Sequence, residues 1–361
     1  MTASPSTATD PLPQGATIGI LGGGQLGRML AMAAARLGYD THVFEPAAAP
    51  AAQVATTWTQ AAYSDGKALA AFAGSVDVVT YEFENIPATA LDLLESTRPI
   101  RPGREALRVS QDRLVEKAFL ESIGLSVAPY RDVPDVGALV AALMDLGTPA
   151  ILKTRRLGYD GKGQVRLNDP AEAGAAFDAM QGADAILEGV VDFSREVSVI
   201  VARGPSGETV CYDPGENVHR DGILRTTTVP AALSAAQRMD AALLAGRIAS
   251  SLDYVGVMGV ELFVTPAGLV VNEIAPRVHN SGHWTQAGCM VDQFEQHIRA
   301  VAGLPLGDGQ RVSDVVMENL IGDDMDRVPD LLASADTQVH LYGKGEVRAG
   351  RKMGHVNRIQ R

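Results

Sequence analysis

With 361 residues, 46% of them apolar and 20% charged, the chain can bury sizeable cores and is neither one small module nor a disordered polymer. A formal net charge of −12 excludes a general polyanion binder, because nucleic-acid affinity rests on clustered Lys and Arg that neutralise phosphates. Cys211 and Cys289 supply neither a disulfide framework nor the spacing of a zinc site, so a reducing, cytoplasmic setting is expected.

Residues 1–16 are Ser/Thr/Pro-rich and lack the basic and apolar regions of a signal peptide, so they are expected to form a disordered tail. No apolar run approaches the ~20 residues that a membrane span needs. Thr17 to Leu21 reads as a strand, Gly22-Gly23-Gly24-Gln25-Leu26-Gly27 as a turn, and the spacing from Gln25 to Leu37 as a helix. Strands at 41–44 and 76–81 and a helix at 88–94 continue the alternation of a parallel sheet, giving a Rossmann-like domain over 17–110. The glycine turn, with Glu45 near the end of the next strand, satisfies the dinucleotide fingerprint. The physics asks only for an anion at a helix N-terminus, so NAD, another anionic ligand and an unliganded turn stand as equal readings at this point.

A connecting helix at 111–123 leads into a second unit, 111–305. Its smaller α+β lobe, about 127–190, carries strands at 149–154, 164–167 and 184–188 and a helix at 171–180. Its larger lobe, about 191–305, has strands near 196–202, 208–213, 223–229, 255–264 and 269–275 and a helix at 234–251. Residues 306–361 return to β-rich sequence as a short C-terminal unit.

Six lysines (67, 117, 153, 162, 344, 352) stand against twenty-five arginines, so a compact ammonium is a selected feature wherever it occurs. Lys153 ends an apolar strand and is followed by Gly158-Tyr159-Asp160-Gly161-Lys162-Gly163-Gln164, a loop whose amides and ammonium suit phosphate, though it is no Walker A motif. Its bland alternative is a mobile surface hairpin. Glu261 and Glu273 sit on two strand-like runs around Thr265-Pro266-Ala267-Gly268. A three-residue loop, Pro266 to Gly268, would face Thr265 with Leu269 and so Glu261 with Glu273; a two-residue loop would move the two glutamates out of register. Carboxylates so placed repel unless a cation lies between them, and hard oxygen ligands with Asn272 adjacent point to Mg²⁺; two solvated glutamates are the alternative. Arg277, His279, Asn280, Ser281 and His283 then follow within one short segment, and similar donors recur at His219-Arg220-Asp221-Gly222 and at Lys344, Arg348, Arg351, Lys352 and His355, together outlining an anion-binding cleft.

The order GGGQLGRML, YEFENIP, K-x₄-GYDGKGQ, E-x₇-E-V-S, NVHRDGILR, NEIAPRVHNSGHWT and GRKMGH resembles the N5-carboxyaminoimidazole ribonucleotide synthetases of the ATP-grasp superfamily from about residue 17 onward. The resemblance implies a multidomain α/β and α+β protein with an ATP-grasp fold, an N-terminal Rossmann-like domain and a small β-rich C-terminal domain. It implies ATP-dependent carboxylation of 5-aminoimidazole ribonucleotide with bicarbonate, through carboxyphosphate, with ATP and Mg²⁺ as cofactors, a homodimer, and no nucleic-acid or membrane partner. Arg113 and Lys153 would then contact ATP phosphates, and Gly158, Tyr159, Asp160, Gly161, Lys162, Gly163 and Gln164 would form a lid. Glu188, Gly189, Val190 and Val191 would be the adenine hinge, with Glu196 at the ribose, His219 at the nucleotide, and Asn272 beside the metal ligands Glu261 and Glu273. The ribonucleotide would meet Gln25, Leu26, Glu82 or Glu84, Tyr159, Asp160, Arg277, His279, Asn280, Ser281, Lys344 and Arg351, with Lys153, Asp160 and Arg277 as the catalytic group. Leu157 stands where the family often has another glycine. Three competing readings remain: a formate-using glycinamide ribonucleotide transformylase, which shares the ATP apparatus; an NAD-dependent oxidoreductase, which leaves the lysine loop and the glutamate hairpin without purpose; and a catalytically idle nucleotide-binding regulator.

Overall fold

A computed structural model describes residues 10–158 and 161–360. Every side chain of the first strand after Thr17 is buried, as a parallel strand covered on both faces requires: β1 (Thr17–Leu21) pairs in parallel with β2 (Asp40–Phe44) and with β4 (Val78–Tyr81), while β3 (Thr57–Thr59) adds to β2. Between them run α1 (Gln25–Arg36), α2 (Gly66–Gly74), α3 (Ala88–Glu95) and α4 (Arg104–Ser110). In α1 the buried residues Leu26, Met29, Leu30, Ala33 and Ala34 keep helical spacing, so one apolar stripe faces inward.

Residues 10–16, assigned above to the tail, are instead tied to the domain. The Leu12 amide donates to the Ala302 carbonyl at 2.8 Å and the Tyr39 hydroxyl to the Leu12 carbonyl at 3.1 Å. Leu12 is the apolar anchor that a reading based on Ser, Thr and Pro content overlooks.

Helix α5 (Arg113–Ser122) leads into an antiparallel sheet of four strands, in the order β5 (Tyr130–Val133), β8 (Ala185–Gly189), β6 (Ala150–Thr154) and β7 (Gln164–Leu167), backed by α6 (Val136–Leu146) and α7 (Ala173–Ala179). The larger lobe contributes β9 (Arg195–Arg203), β10 (Thr209–Cys211), β11 (Gly215–Arg220), β12 (Ile223–Val229), α8 (Ala235–Ser251), β13 (Gly256–Thr265) and β14 (Gly268–Ala275). After α9 (Thr285–Gly288) and α10 (Gln293–Ala302) come β15 (Asp314–Ile321), α11 (Val328–Ala333), β16 (Thr337–Leu341) and β17 (Lys352–Gln360).

These C-terminal strands extend the sheet of the larger lobe. A nine-stranded sheet runs β14-β13-β9-β11-β12-β15-β17-β16, with β10 paired to β9, and the junction is the antiparallel β12–β15 ladder from Thr226↔Glu318 to Val229↔Val315. Helix α10 was not anticipated from the sequence because its buried face includes Gln293, Glu295, Gln296 and His297, polar residues that blur the apolar period yet are hydrogen-bonded inside.

Candidate active site

The hairpin β13–β14 is closed by a two-residue loop: Thr265 pairs with Gly268 and Val264 with Leu269. That register alone would set Glu261 opposite Asn272, the outcome expected of a two-residue loop. One extra residue in β14 corrects it, since pairing shifts between Leu262↔Val271 and Glu261↔Glu273 and leaves Asn272 as a β-bulge. The two glutamates therefore face each other through a route different from the three-residue loop expected above. Burial first and Glu273 second push the Glu261 carboxyl up. Burial also acts to raise Glu273, but Arg113, whose Nη1 lies 2.9 Å from its Oε2, outweighs burial and holds Glu273 well below the usual range. Asn272 Nδ2 donates to Glu261 Oε2 at 3.4 Å.

Among the described residues no cluster of three His, Cys, Asp or Glu side chains could hold a metal alone. A pair of carboxylates still fits Mg²⁺, which keeps several waters and takes its remaining oxygens from substrate phosphates. The observation that favours a cation here is the pair itself: two carboxylates face to face across the hairpin, with Glu261 driven toward its protonated form by burial and then by Glu273.

Cations gather beside this pair. Asp112 caps α5 by accepting from the Leu114 amide and also takes the Arg155 guanidinium at 2.8 Å, which ties the helix start to the end of β6. Arg113 and Lys117, four residues apart, share one face of α5. Lys117 Nζ lies 3.4 Å and Lys153 Nζ 2.9 Å from the two oxygens of Glu188, whose side chain is 5% exposed. Burial acts to raise Glu188, and Lys153 followed by Lys117 overcomes it. Lys117 Nζ makes no hydrogen bond among the described residues, so a fully buried ammonium lacks the partners that a phosphate oxygen would supply. Sequence reasoning left Lys117 out of the site, although the scarcity of lysine was a signal for it. Glu188 itself was expected in an adenine hinge with Gly189, Val190 and Val191; its side chain is engaged by the two lysines, whereas Val190 is exposed.

The glycine loop joins β6 to β7, where Lys153 pairs with Gln164 and the Thr154 amide donates to the Gly163 carbonyl at 2.8 Å. Tyr159 and Asp160 lie outside the described residues. A Cβ on Gly163 would come within 2.6 Å of Thr154 Oγ1, and one on Gly161 within 3.2 Å of the Gly222 Cα, so the loop rests against the β11–β12 turn. Next to it, His219 Nδ1 is 2.6 Å from Glu196 Oε2; burial acts to lower the His219 pKa, and the hydrogen bond with Glu196 together with the charges of Glu261 and Glu196 raises it overall. Leu157 adopts φ +64° and is 70% exposed, so an L side chain pays for a left-handed backbone with no packing in return. Leu157→Gly is expected to leave stability unchanged or raise it by up to about 1 kcal/mol, whereas β-branched Leu157→Val should lose about 1–2 kcal/mol. Calorimetric unfolding of the two variants checks both.

The N-terminal glycine turn is internally satisfied. The Gly23 amide donates to Glu45 Oε2 at 2.9 Å, and Gly24 and Gly27 donate to the two oxygens of Glu82 at 2.5 and 2.9 Å. A Cβ on Gly22 or Gly24 would sit 2.5 or 2.6 Å from Glu82, so glycine is needed here to admit a carboxylate. A dinucleotide phosphate would compete for these amides, which removes the physical basis of the NAD reading. The open choice between Glu82 and Glu84 becomes a division of work: Glu82 caps α1, and Glu84 Oε1 takes Arg277 Nε at 2.7 Å. Leu26 contributes only backbone at the turn, because its side chain belongs to the core; Gln25 is partly exposed.

In the segment after β14, His279 Nδ1 and Ser281 Oγ are 2.8 Å apart, Ser198 Oγ donates to Ser281 Oγ at 2.6 Å, and His279 Nε2 is 3.6 Å from Glu261 Oε1. Burial, then Arg277, pushes His279 down to about 3, so it is neutral at physiological pH. Ser281 is 1% exposed with its hydroxyl engaged, so it supports His279 rather than facing the cleft. Both amide atoms of Asn280 are buried with no partner among the described residues, as expected of a side chain that awaits a polar ligand. Lys344 Nζ donates to the Lys352 carbonyl at 2.9 Å, and Arg351 Nη1 to the Glu346 carbonyl at 3.0 Å. Gln53 Nε2, bonded to the Gly343 carbonyl at 3.1 Å, links this basic loop to the N-terminal domain.

Three family models match the chain: a ribonucleotide synthetase preATP-grasp domain over residues 15–111, an ATP-grasp domain over 118–294, and a phosphoribosylaminoimidazole carboxylase C-terminal domain over 315–361. The chain is 59% identical over 353 residues to the N5-carboxyaminoimidazole ribonucleotide synthase of Brucella melitensis, covering 97% of this chain and 98% of that protein. It is similar to the crystal structure of an ADP complex of N5-carboxyaminoimidazole ribonucleotide synthetase, at TM-score 0.94 and 44% identity over 97% of this chain and 94% of the other. It is also similar to the synthase of Aspergillus clavatus in complex with ADP and 5-aminoimidazole ribonucleotide, at TM-score 0.91 and 31% identity over 96% and 94%.

Proposed function

The chain belongs to the N5-carboxyaminoimidazole ribonucleotide synthase family, and from that premise we infer how its own residues divide the work. It is an ATP-dependent ligase that carboxylates 5-aminoimidazole ribonucleotide in purine biosynthesis. The observation that carries the assignment of roles is the convergence of Arg113, Lys117 and Lys153 on the acidic pair Glu188 and Glu273, beside a glycine loop.

ATP phosphates lie against Arg113, Lys117 and Lys153, with Gly158 and Gly161 to Gln164 folded over them. Glu261 and Glu273 would hold Mg²⁺, which supplies charge neutralisation to the phosphates when bound. Bicarbonate is the carbon source: its oxygen attacks the γ-phosphorus, the bond to the β-bridging oxygen breaks, and carboxyphosphate and ADP result. The exocyclic amine of the ribonucleotide then attacks the carboxyl carbon, phosphate departs, and the amine proton passes to it. The protein's part is positioning and charge, since phosphoryl transfer needs little covalent help. A closed lid keeps water from the labile acyl phosphate.

The second substrate lies between the N-terminal domain and the C-terminal loop, with Arg277, His279 and Asn280 toward its base and Lys344 and Arg351 at its phosphate. Arg351→Ala is expected to raise the ribonucleotide KM by about 10- to 100-fold with little change in kcat, because a phosphate contact remote from the reacting atoms contributes uniform binding. Initial rates across ribonucleotide concentrations check this, and an unchanged KM removes Arg351 from the phosphate.

The assignment as a whole is tested by ADP release with aminoimidazole ribonucleotide plus bicarbonate against glycinamide ribonucleotide plus formate. Turnover only with the second pair would replace the carboxylase reading by a transformylase. We also propose a homodimer, which sedimentation equilibrium decides. No helix among the described residues is long and apolar enough to cross a membrane.

A further inference from the structure

Strand β14 is the outer edge of the nine-stranded sheet, so its outward amides need partners from elsewhere. The Val271 amide finds one in the Ser126 carbonyl at 2.8 Å, alongside a parallel bridge between Val127 and Val271. Past this point the bulge at Asn272 reverses the alternation of the strand, and the next amide to turn outward is that of Ile274. Its acceptor is a side chain: Glu116 Oε1 takes the Ile274 amide at 2.7 Å. Glu116 is 2% exposed on α5, between Arg113, which grips Glu273, and Lys117, which faces Glu188. One helix therefore holds two successive residues of the bulged strand, Glu273 through Arg113 and Ile274 through Glu116.

We propose that Glu116 is a positioning residue for the metal site: by accepting the Ile274 amide it locks the bulge that sets Glu273 opposite Glu261. The inference rests on the reading of Glu261 and Glu273 as Mg²⁺ ligands. A buried carboxyl beside two other acidic groups is costly, and an apolar side chain would fill the same space at lower cost if packing were its only task. Without the acceptor, Ile274 N–H would be stranded at a buried edge, and slipping the bulge by one residue would turn the Glu273 side chain to the opposite face.

The test compares Glu116→Gln, which keeps an acceptor oxygen at the same reach, with Glu116→Leu, which removes it, and Glu116→Asp, which withdraws it by one methylene. Mn²⁺ binding in the presence of ADP, followed by the electron paramagnetic resonance of free Mn²⁺, is read beside amide exchange of residues 268–275. Glu116→Leu should weaken Mn²⁺ binding about 10- to 100-fold, the usual effect of losing support behind a metal ligand, and speed exchange in the hairpin. Glu116→Asp should move both readouts the same way and serves in its place if the leucine variant does not fold. Glu116→Gln should retain binding and protection. Wild-type Mn²⁺ affinity in folded Glu116→Leu or Glu116→Asp overturns the proposal, as does a Glu116→Gln variant as defective as either. Wild-type Mn²⁺ affinity in Glu273→Ala would instead overturn the metal reading beneath it.

Discussion

Glu273→Ala should slow ADP release by about a thousandfold or more with only a small net change in thermal stability, because relief at its acidic neighbours is offset by the loss of its ion pair with Arg113. The activity loss follows from the two tasks that meet at this carboxylate, because it faces Glu261 across the hairpin and receives Arg113 at 2.9 Å. The stability expectation follows from the neighbours that burial and repulsion strain. Glu261 and Glu116 are both pushed up, first by burial and then by Glu273, so its removal relieves two carboxyls while depriving Arg113 of one partner. Coupled-enzyme ADP detection and a melting curve on the same sample decide the matter. Wild-type turnover by folded Glu273→Ala would remove this residue from the metal.

Lys153→Ala is expected to lose both activity and stability. Glu188, at 5% exposure, would keep only Lys117 at 3.4 Å, and breaking one arm of a buried ionic cluster should cost up to about 3 kcal/mol. Turnover should fall about a thousandfold if the lysine meets the transferring phosphates as proposed. Lys153→Met separates the two effects by keeping the stem that packs beneath the ammonium. ADP release as low as in the alanine variant, with less stability lost, is the expected pattern; turnover within tenfold of wild type would place Lys153 outside the reaction.

Much of this architecture was legible because it is local. The apolar runs at Thr17–Leu21 and Ala150–Leu152, the helical stripe of α1, and the three glycines of the loop at 158–163 each carry their meaning within a few residues. The facing of Glu261 and Glu273 was reached from an incorrect loop length. A two-residue turn and a one-residue bulge cancel, and side-chain periodicity cannot detect two compensating irregularities. The glycine turn shows the opposite limit. Its carboxylate partners Glu45 and Glu82 arrive from 22 and 55–58 residues away, so the segment by itself could not reveal that its amides were taken. Glu116 and Lys117 were hidden by their setting, since charged residues in an amphipathic helix read as solvated until the fold buries them.

The strand order of the large sheet bears on how the chain is made. β17, residues 352–360, is the latest strand in sequence, yet it lies inside the sheet between β15 and β16. As the chain leaves the ribosome, the four-stranded sheet that carries the glycine loop can close as soon as residue 189 has emerged. Until β17 arrives to join them, β15 has a partner only in β12 and β16 has none in the sheet. The lobe that carries Lys153 and the glycine loop can thus close early, whereas the basic loop at 343–351, between β16 and β17, is fixed only when β17 pairs on both sides.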